Sequence, residues 1–431
     1  MNFKESFLHF IWKFQLFDKS SLATTNNDVL HILNQGQHNT NAGPDFLDSK
    51  ISISKVKWFG AIEIHIHATD WQKHAHHLDK AYEQVVLHVV WNEDAKLIRN
   101  DGSPMRTLTL KDKVDKVYID RYQSLIEYKE EISCTPFFDQ VSMIVKRSMF
   151  DRVLLNRQEH KAEAINEIWK ASNGSWEDTA YKLLAKNFGF KVNAFPFQKL
   201  AEKIPLKILQ KHSDNLFQLE ALLFGVAGFL KEVADSDEYA IRLQNEYLFL
   251  GHKYDLLRHE FSLHEWKYLR LRPANFPTIR IAQFAMLLNQ QSNLYSLLTS
   301  FEDYHVLEKQ LSVTQSRYWQ QHFKFNVLSF SPIGSLGKSS VENIMINSVV
   351  PLLFAVSKFK NEQIFTEKAI TLLEELPAEQ NAVTAIWSAI GFELNDAFDS
   401  QAAIELYSNY CSPKKCLDCA IGAAIMKTNN P

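Results

Sequence analysis

Carboxylate and imidazole side chains alternate with isoleucines in the stretch that ends at Trp71. Successive side chains of a β-strand point to opposite faces, so Glu63 and His65 would share one face and the isoleucines the other. Such a polar face is exposed to water, fully hydrogen-bonded or occupied by a metal ion. Asp45 precedes this strand in a Gly-Pro-Asp-Phe segment. A metal site on this face of the strand would use Glu63 and His65.

A histidine-rich segment follows the strand and contains His74, His76 and Asp79. Imidazole and carboxylate ligands together suit Zn, Mn or Fe. We expect a mononuclear or dinuclear metal site that combines some of these three residues with Glu63 and His65. The alternative is a solvated loop whose histidines bind nothing. His88 lies inside an apolar run and is interpreted as a hydrogen-bonded core histidine that neighbours Glu63 in the sheet.

Three of the four cysteines lie close together near the C-terminus, in the pattern Cys411-x4-Cys416-x2-Cys419. Three thiolates at this spacing constrain a soft-metal site and need one more ligand. Cys134 is the remaining cysteine and is the candidate for that fourth ligand. We expect either an iron-sulfur cluster or a zinc ion here, and the alternative is a set of reduced thiols.

An arginine-rich connection interrupts the second half of the chain. It contains Arg270, Arg272 and Arg280 together with two prolines. Arginine is suited to binding anions, so the segment is a candidate anion-binding or docking loop. The alternative is a rigid connector whose arginines pair with nearby carboxylates and helix ends.

The elements that carry these residues predict an α+β fold. Residues 1–115 read as an N-terminal mixed α/β sheet domain: a helix over 2–17, strands near 29–33, 48–54, 56–67 and 85–91, and a hairpin formed by 95–99 and 105–110. From residue 116 to 431 helical periodicity dominates, which predicts a larger all-α domain that ends in the cysteine cluster.

Composition indicates a folded protein without a strong global charge. Hydrophobic residues make up 46% of the 431 positions, and the formal net charge is −3. This balance gives no general attraction to nucleic acid, although a local patch can still bind a polyanion. We see no signal peptide and no long uninterrupted apolar run, so we expect a cytoplasmic location without a membrane partner. The oligomeric state stays open.

The order Pro44-Asp45 followed by Glu63-x-His65, with a strand pair between, resembles the PD-(D/E)xK nuclease superfamily. The resemblance implies a core of one helix, three strands, a helix and a further strand. It also implies that Asp45 and Glu63 bind a divalent cation such as Mg or Mn. His65 stands at the position of the family's lysine, which polarises or deprotonates the attacking water. Some of these nucleases close their domain with a cluster held by one distant cysteine and three near the end.

Nearly the whole chain also resembles an uncharacterised bacterial family, the domain-of-unknown-function family 2851. The likeness rests on motifs spread over both halves: Gly43-Pro44-Asp45-Phe46, Glu63-Ile64-His65, Asp70-Trp71, His74-x-His76, Leu87-His88-Val89-Val90 and Arg270-Leu271-Arg272-Pro273. This resemblance implies no activity, but it suggests that both halves form one unit.

Three functional hypotheses follow from these residues. The first is a metal-dependent nuclease that hydrolyses DNA or RNA with Asp45, Glu63 and His65. The second is a non-catalytic scaffold with a degenerate nuclease core that binds nucleic acid or a protein. The third is a metallo-hydrolase of another substrate, centred on His74, His76 and Asp79.

Overall fold

The computed structural model describes residues 3–234, 237–259 and 261–428. By spatial proximity these residues group into two compact units. Unit 1 runs to Asp151 and also contains Ile386–Gly391 and the segment from Ile404 onward; unit 2 contains Arg152–Ala385 and Phe392–Ala403. The sequence-based boundary near residue 115 marks where strands give way to helices, whereas these units mark what packs together.

Unit 1 is built around a six-stranded mixed sheet. Its strands are β1 (Leu30–Asn34), β2 (Gln37–His38), β3 (Phe46–Ile53), β4 (Val56–His67), β5 (Val85–Asn92) and β6 (Thr107–Thr109). The order across the sheet is β1-β3-β4-β5-β6, and β2 pairs with β3. The pairs β1/β3 and β3/β4 are antiparallel, whereas β4/β5 and β5/β6 are parallel.

Helix α1 (Glu5–Phe14) precedes the sheet and packs against β4 through a face that includes Phe7, Phe10 and Ile11. A short helix α2 (Asp70–Lys73) and two 3-10 turns connect β4 to β5. The element order is therefore helix, strands, short helices and a parallel strand, as the sequence predicted. The predicted α+β class is confirmed.

The hairpin predicted over residues 95–110 is reduced to one isolated bridge between Ile98 and Pro104. The second arm instead forms β6, which pairs in parallel with β5. The hairpin prediction was wrong in its pairing, because a turn between two apolar runs does not determine which neighbouring strand supplies the backbone partners. The remaining unit 1 helices are α3 (Lys116–Glu127), the start of α4 (Met143–Ala171) and, near the C-terminus, α19 (Ala420–Lys427).

Unit 2 is almost entirely helical, as predicted. Its helices and those that reach its borders are α5 (Trp176–Phe188), α6 (Phe190–Lys203), α7 (Leu206–Gln210), α8 (Leu216–Val226), α9 (Glu238–Lys253), α10 (Pro277–Gln290), α11 (Leu294–Thr299), α12 (Tyr304–Leu311), α13 (Arg317–Gln321), α14 (Lys338–Ile344), α15 (Val350–Lys360), α16 (Ile364–Glu375), α17 (Ala382–Ala389) and α18 (Ala397–Leu406). A small hairpin, β7 (His322–Lys324) and β8 (Val327–Leu328), is the exception within the described residues.

One continuous helical stretch, Lys338–Lys360, is long and apolar enough to cross a membrane by length and composition. However, 72% of its most apolar window is buried inside the fold. A core helix of a folded domain meets the same two criteria, and the burial fits that description.

Candidate metal centre

The polar face predicted for β4 exists and is buried at its centre. Glu63 is 5% exposed and His65 is 1% exposed. His88 of β5 is directly opposite Glu63 in the parallel register and is fully buried. Because in-register residues of neighbouring strands project to the same side of the sheet, these three side chains meet on one face.

The loop after β4 returns two further imidazoles to this face. One ligand atom each from His65, His74 and His76 lies within 4.8 Å of the others, the only such set of three among the described residues. His65 Nε2 lies 3.2 Å from His74 Nδ1. Glu63 Oε1 lies 3.2 Å from His76 Nε2 and 3.6 Å from His65 Nε2. Three imidazoles therefore converge, and the Glu63 carboxylate contacts two of them.

These distances fit a single small cation. Ligand atoms bound at about 2.1 Å to a tetrahedral ion lie about 3.4 Å from each other. The three measured separations bracket that value. Three imidazoles with one carboxylate suit Zn, Mn or Fe, whereas Mg prefers oxygen ligands and bound water. The donor set therefore fits a transition metal better than the Mg implied by the nuclease resemblance.

His88 contacts the other side of the His65 ring. Its Nε2 lies 2.8 Å from His65 Nδ1. If His65 Nδ1–H donates to His88, His65 Nε2 keeps its lone pair for a metal. The His88 Nδ1 atom is buried without a hydrogen-bond partner. Trp71 packs against the rings of His76 and His88, and Tyr82 stacks on His76, so aromatic contacts fix the ring positions.

The electrostatics of the site favour neutral imidazoles. Burial, with neighbouring histidines in second place, lowers the pKa of His65 to about 2. Burial also lowers the pKa of His88 to about 3. The pKa of Glu63 is raised, first by burial and then by the nearby charge of Asp45. Neutral imidazoles are the form that binds metal, and a cation would relieve the cost of burying the carboxylate.

Asp45 lies at the edge of the set and is joined to it through hydrogen bonds. Its Oδ2 accepts from the backbone N–H of Ile64 at 2.9 Å, and its own N–H donates to Glu63 Oε2 at 3.1 Å. His9 of α1 approaches the same Asp45 Oδ2 to 3.3 Å through its Nε2. Asp45 therefore orients Glu63 and engages His9, and it is not one of the three-histidine set.

The pKa of His9 is raised overall. Burial is the largest single effect and lowers this pKa, but the hydrogen bond and charge of Asp45 outweigh it. His9 is a functional candidate that sequence reasoning missed. Its only signal was its position on the helical face that also carries apolar core residues.

Asp79, a predicted metal ligand, lies on the far side of the loop. Its side chain accepts from Ala81 N–H at 2.9 Å and begins a 3-10 turn. It lines a cavity of about 410 Å³ together with His76, His77 and Tyr82. His67 is exposed at the end of β4. The structure thus joins His65, His74, His76 and Glu63 directly, and leaves Asp79 outside the set.

The four cysteines belong to unit 1 and lie near one another. All six pairs of thiols are close enough to interact electrostatically, which raises the pKa values of Cys134 and Cys411 after the larger effect of burial. Cys134, Cys416 and Cys419 are each 8% exposed, and none of the four is in a disulfide. The predicted pairing of Cys134 with the C-terminal trio is therefore spatially possible.

The cysteine loop is anchored by contacts that do not involve sulfur. Lys414 Nζ donates to the carbonyls of Ile126 and Tyr128 at the end of α3. A Cβ on Gly422 would lie 2.1 Å from the Cys416 carbonyl oxygen, so α19 approaches the loop as only glycine allows. These contacts hold the loop against α3 and α19.

A groove of about 570 Å³ lies beside the Asp45–His9 pair. His9 lines it, with exposed Lys13 of α1 and exposed Lys415 of the cysteine loop. Lys4, Lys414 and His38 add further basic groups, and Asp418 is the acidic residue in its lining. A chain that is slightly acidic overall therefore has a local basic surface next to the site.

The three arginines of the predicted anion-binding loop do not share one surface. Arg270 and Arg272 are exposed, and Arg270 has a left-handed backbone with φ of 63°. Arg280 lies in the first turn of α10 and is only 5% exposed.

Comparison with known proteins gives one match. The family model described as "Protein of unknown function (DUF2851)" matches residues 5–382. The chain belongs to this family. The resemblance to family 2851 proposed from the sequence is confirmed. No curated protein and no solved structure matches, so the likeness to PD-(D/E)xK nucleases stays a prediction.

Proposed function

We propose that this member of the DUF2851 family is a metal-dependent hydrolase that cleaves phosphodiester bonds of nucleic acid. The observation that carries the proposal is the convergence of His65, His74 and His76 within 4.8 Å, with Glu63 Oε1 3.2 Å from His76 Nε2. A buried carboxylate among neutral imidazoles has little structural benefit without a cation. The same donors are those of known catalytic transition-metal sites.

The residues divide the chemistry between them. A metal at this site would supply charge neutralisation and a bound water of lowered pKa. Glu63, His65, His74 and His76 would hold it, and His88 would keep His65 in the tautomer that leaves Nε2 free. His9, held by Asp45 and with a raised pKa, is suited to donate a proton to the leaving oxygen.

The basic groove supports a phosphate-bearing substrate. His9 belongs both to the groove and to the ion pair with Asp45, so a backbone bound along the lysines would pass the reacting groups. Lysines that contact phosphates supply sequence-independent affinity that depends on salt. Nucleic acid therefore stays the proposed substrate, as the sequence predicted.

The experiment is cleavage of labelled single- and double-stranded DNA and RNA by purified protein with Mn²⁺ or Zn²⁺. We expect Glu63→Gln to lose at least 100-fold in rate, because a metal ligand is lost without a change in shape. His67→Gln on the same strand is the matched control and should keep full rate. Cleavage that persists in Glu63→Gln would contradict the assignment.

A non-catalytic role is the second candidate, and one observation favours it. Asp45 Oδ2 is already engaged by the Ile64 N–H and by His9, and the position of the family lysine is His65. In that case nucleic acid binds the basic groove without being cut. Binding of metal and nucleic acid without cleavage, at saturating concentrations of both, would support the non-catalytic role.

We also propose that the four cysteines hold a thiophilic metal centre, either zinc or an iron-sulfur cluster, which fixes the loop that carries Lys414 and Lys415. Support comes from the electrostatic interaction among all four thiols and from the burial of Cys134, Cys416 and Cys419. Four thiolates are the ligand set of structural zinc sites and of iron-sulfur clusters.

Elemental and sulfide analysis of anaerobically purified protein tests this centre. We expect stoichiometric zinc, or iron with sulfide, that is lost in Cys416→Ser and kept in Ser412→Ala. Protein that contains neither metal and whose four thiols react with a thiol reagent in the folded state would rule it out.

A further inference from the structure

The guanidinium of Arg280 is a buried positive charge that has no carboxylate partner among the described residues. The residue is 5% exposed, and its hydrogen bonds go to the neutral oxygens of Gln283, Asn275 and Ser340. Its Nε is buried and has no hydrogen-bond partner in the described part of the chain. Burying an ion is costly unless an opposite charge is close, and arginine is almost never fully buried unpaired.

The same guanidinium lines a cavity of about 200 Å³ in unit 2. Phe188, Phe190 and Phe197 supply apolar walls, and Leu271 and Asn275 lie toward solvent at the mouth. The Phe190 ring lies against the guanidinium, with 4.5 Å from its centroid to Arg280 Cζ. The cavity therefore combines one buried cation with three aromatic side chains.

The backbone around the cavity is shaped to hold Phe190 in place. Phe190 has a left-handed backbone with φ of 47°, which is unusual for an aromatic residue. Asn193 Nδ2 donates to the Lys267 carbonyl and its Oδ1 accepts from the Lys267 N–H, each at 2.9 Å, which ties α6 to the connection before α10. Strain of this kind often accompanies a ligand site.

We propose that this cavity binds a small organic carboxylate, with the carboxylate against Arg280 and the apolar part against the three phenylalanines. The anion would supply the counter-charge that the described residues lack, by a charge-assisted hydrogen bond to the guanidinium. The aromatic walls favour a ligand with an apolar body over inorganic phosphate. The proposal is independent of the metal centre, because it concerns unit 2 alone.

Calorimetric titration of the full chain with benzoate and hexanoate tests the proposal. Benzamide, which has the shape of benzoate without the charge, is the ligand control, and inorganic phosphate is the anion control. We expect benzoate or hexanoate to bind at least tenfold more tightly than benzamide and phosphate. No carboxylate binding, or tighter binding of phosphate, would overturn the assignment.

Variants locate the binding. Arg280→Met should weaken carboxylate binding about 10- to 100-fold, the loss that one charge-assisted hydrogen bond corresponds to. Leu271→Trp should block the mouth without touching the charge, and it keeps the test valid if Arg280→Met does not fold. Arg270→Met, exposed, should bind as wild type. Unchanged binding in both Arg280→Met and Leu271→Trp would overturn the site.

Discussion

At the residue scale, the metal centre depends on contacts behind the ligands as well as on the ligands. His88 Nε2 lies 2.8 Å from His65 Nδ1 and is fully buried, so it would leave His65 Nε2 to bind the proposed cation. Sequence reasoning identified His88 as a hydrogen-bonded core histidine, and that interpretation agrees with the contact. Its partner was not predictable, since register between β4 and β5 appears only in the fold.

Replacing His88 should weaken the metal site without removing a ligand. We expect His88→Phe to lower transition-metal affinity about 10- to 100-fold, the usual cost of losing a residue that orients a ligand. Titration with Zn²⁺ or Mn²⁺ against a competing chelator measures this change. Metal affinity equal to wild type in a folded His88→Phe variant would show that His65 needs no orienting partner.

Glu220 gives unit 2 a pH-dependent stability. Burial raises the pKa of Glu220 to about 7, and Tyr239 donates a hydrogen bond to it. The folded state therefore holds a proton that the unfolded chain releases near pH 4.5. The contribution of protonated Glu220 to the free energy of unfolding is fully present below pH 4.5 and is lost as the pH rises through about 7. At pH 8 the free energy of unfolding is therefore lower by roughly 3 kcal/mol.

Glu220→Gln should remove this pH dependence. The amide keeps the size of the side chain and carries no charge, so the variant should be more stable than wild type at pH 8 by roughly 3 kcal/mol and similar at pH 4.5. Urea unfolding at both pH values gives the comparison. Wild-type and variant stabilities that differ by a constant amount at all pH values would contradict the assigned pKa.

At the element scale, the hydrophobic periodicity of the sequence predicted where strands and helices form. The limits of β4 match the prediction of 56–67, and α1 is shorter than the predicted 2–17 by a few residues at each end. The polar face of β4 followed directly from the alternation of polar and apolar residues in the sequence. The return of His74 and His76 to that face did not, because it depends on α2 and the turns that follow it.

The three-histidine set shows where sequence reasoning stops. His65, His74 and His76 were all named as candidates together with Glu63, but Asp79 and Asp45 were named as well. The backbone path of the loops decides which of these residues join the set. Asp79 instead begins a 3-10 turn, and Asp45 accepts a hydrogen bond from the backbone of Ile64. Such choices depend on backbone conformation, which residue type and spacing do not specify.

The packing of α8 on α9 depends on one glycine. A Cβ on Gly225 would lie 2.1 to 2.4 Å from ring atoms of Tyr247. We expect Gly225→Ala to lower the free energy of unfolding by about 1–3 kcal/mol through overpacking. Gly334→Ala, where a Cβ meets nothing within 4 Å, is the control and should change stability little. Equal stability of the two variants in urea unfolding would contradict this packing.

At the scale of the whole molecule, the proposed functions divide along the two units. Unit 1 carries the proposed metal centre, the cysteines and the basic groove, whereas unit 2 carries the Arg280 cavity. A boundary placed by composition could not assign the C-terminal cysteines to the unit of the sheet. That assignment needs Cys134 and the C-terminal segment to be close in space.

The basic groove should bind nucleic acid through its lysines. Changing Lys13 and Lys415 together to Glu should weaken binding of a labelled oligonucleotide at least tenfold and reduce its salt dependence by roughly 0.7 per lost contact on a single strand. Lys57→Glu, exposed and outside the groove, changes charge equally per site and is the control. A loss of the same size in the control would indicate a general charge effect.

The most direct test of the metal centre is its stoichiometry. Purified wild-type protein, dialysed against Zn²⁺ or Mn²⁺ and analysed for bound metal, should contain one ion more than His76→Gln and Glu63→Gln, while His67→Gln matches wild type. Because the cysteines could hold zinc of their own, the difference between proteins is the quantity that decides. Equal metal content in wild type, His76→Gln and Glu63→Gln would contradict a metal centre at these residues.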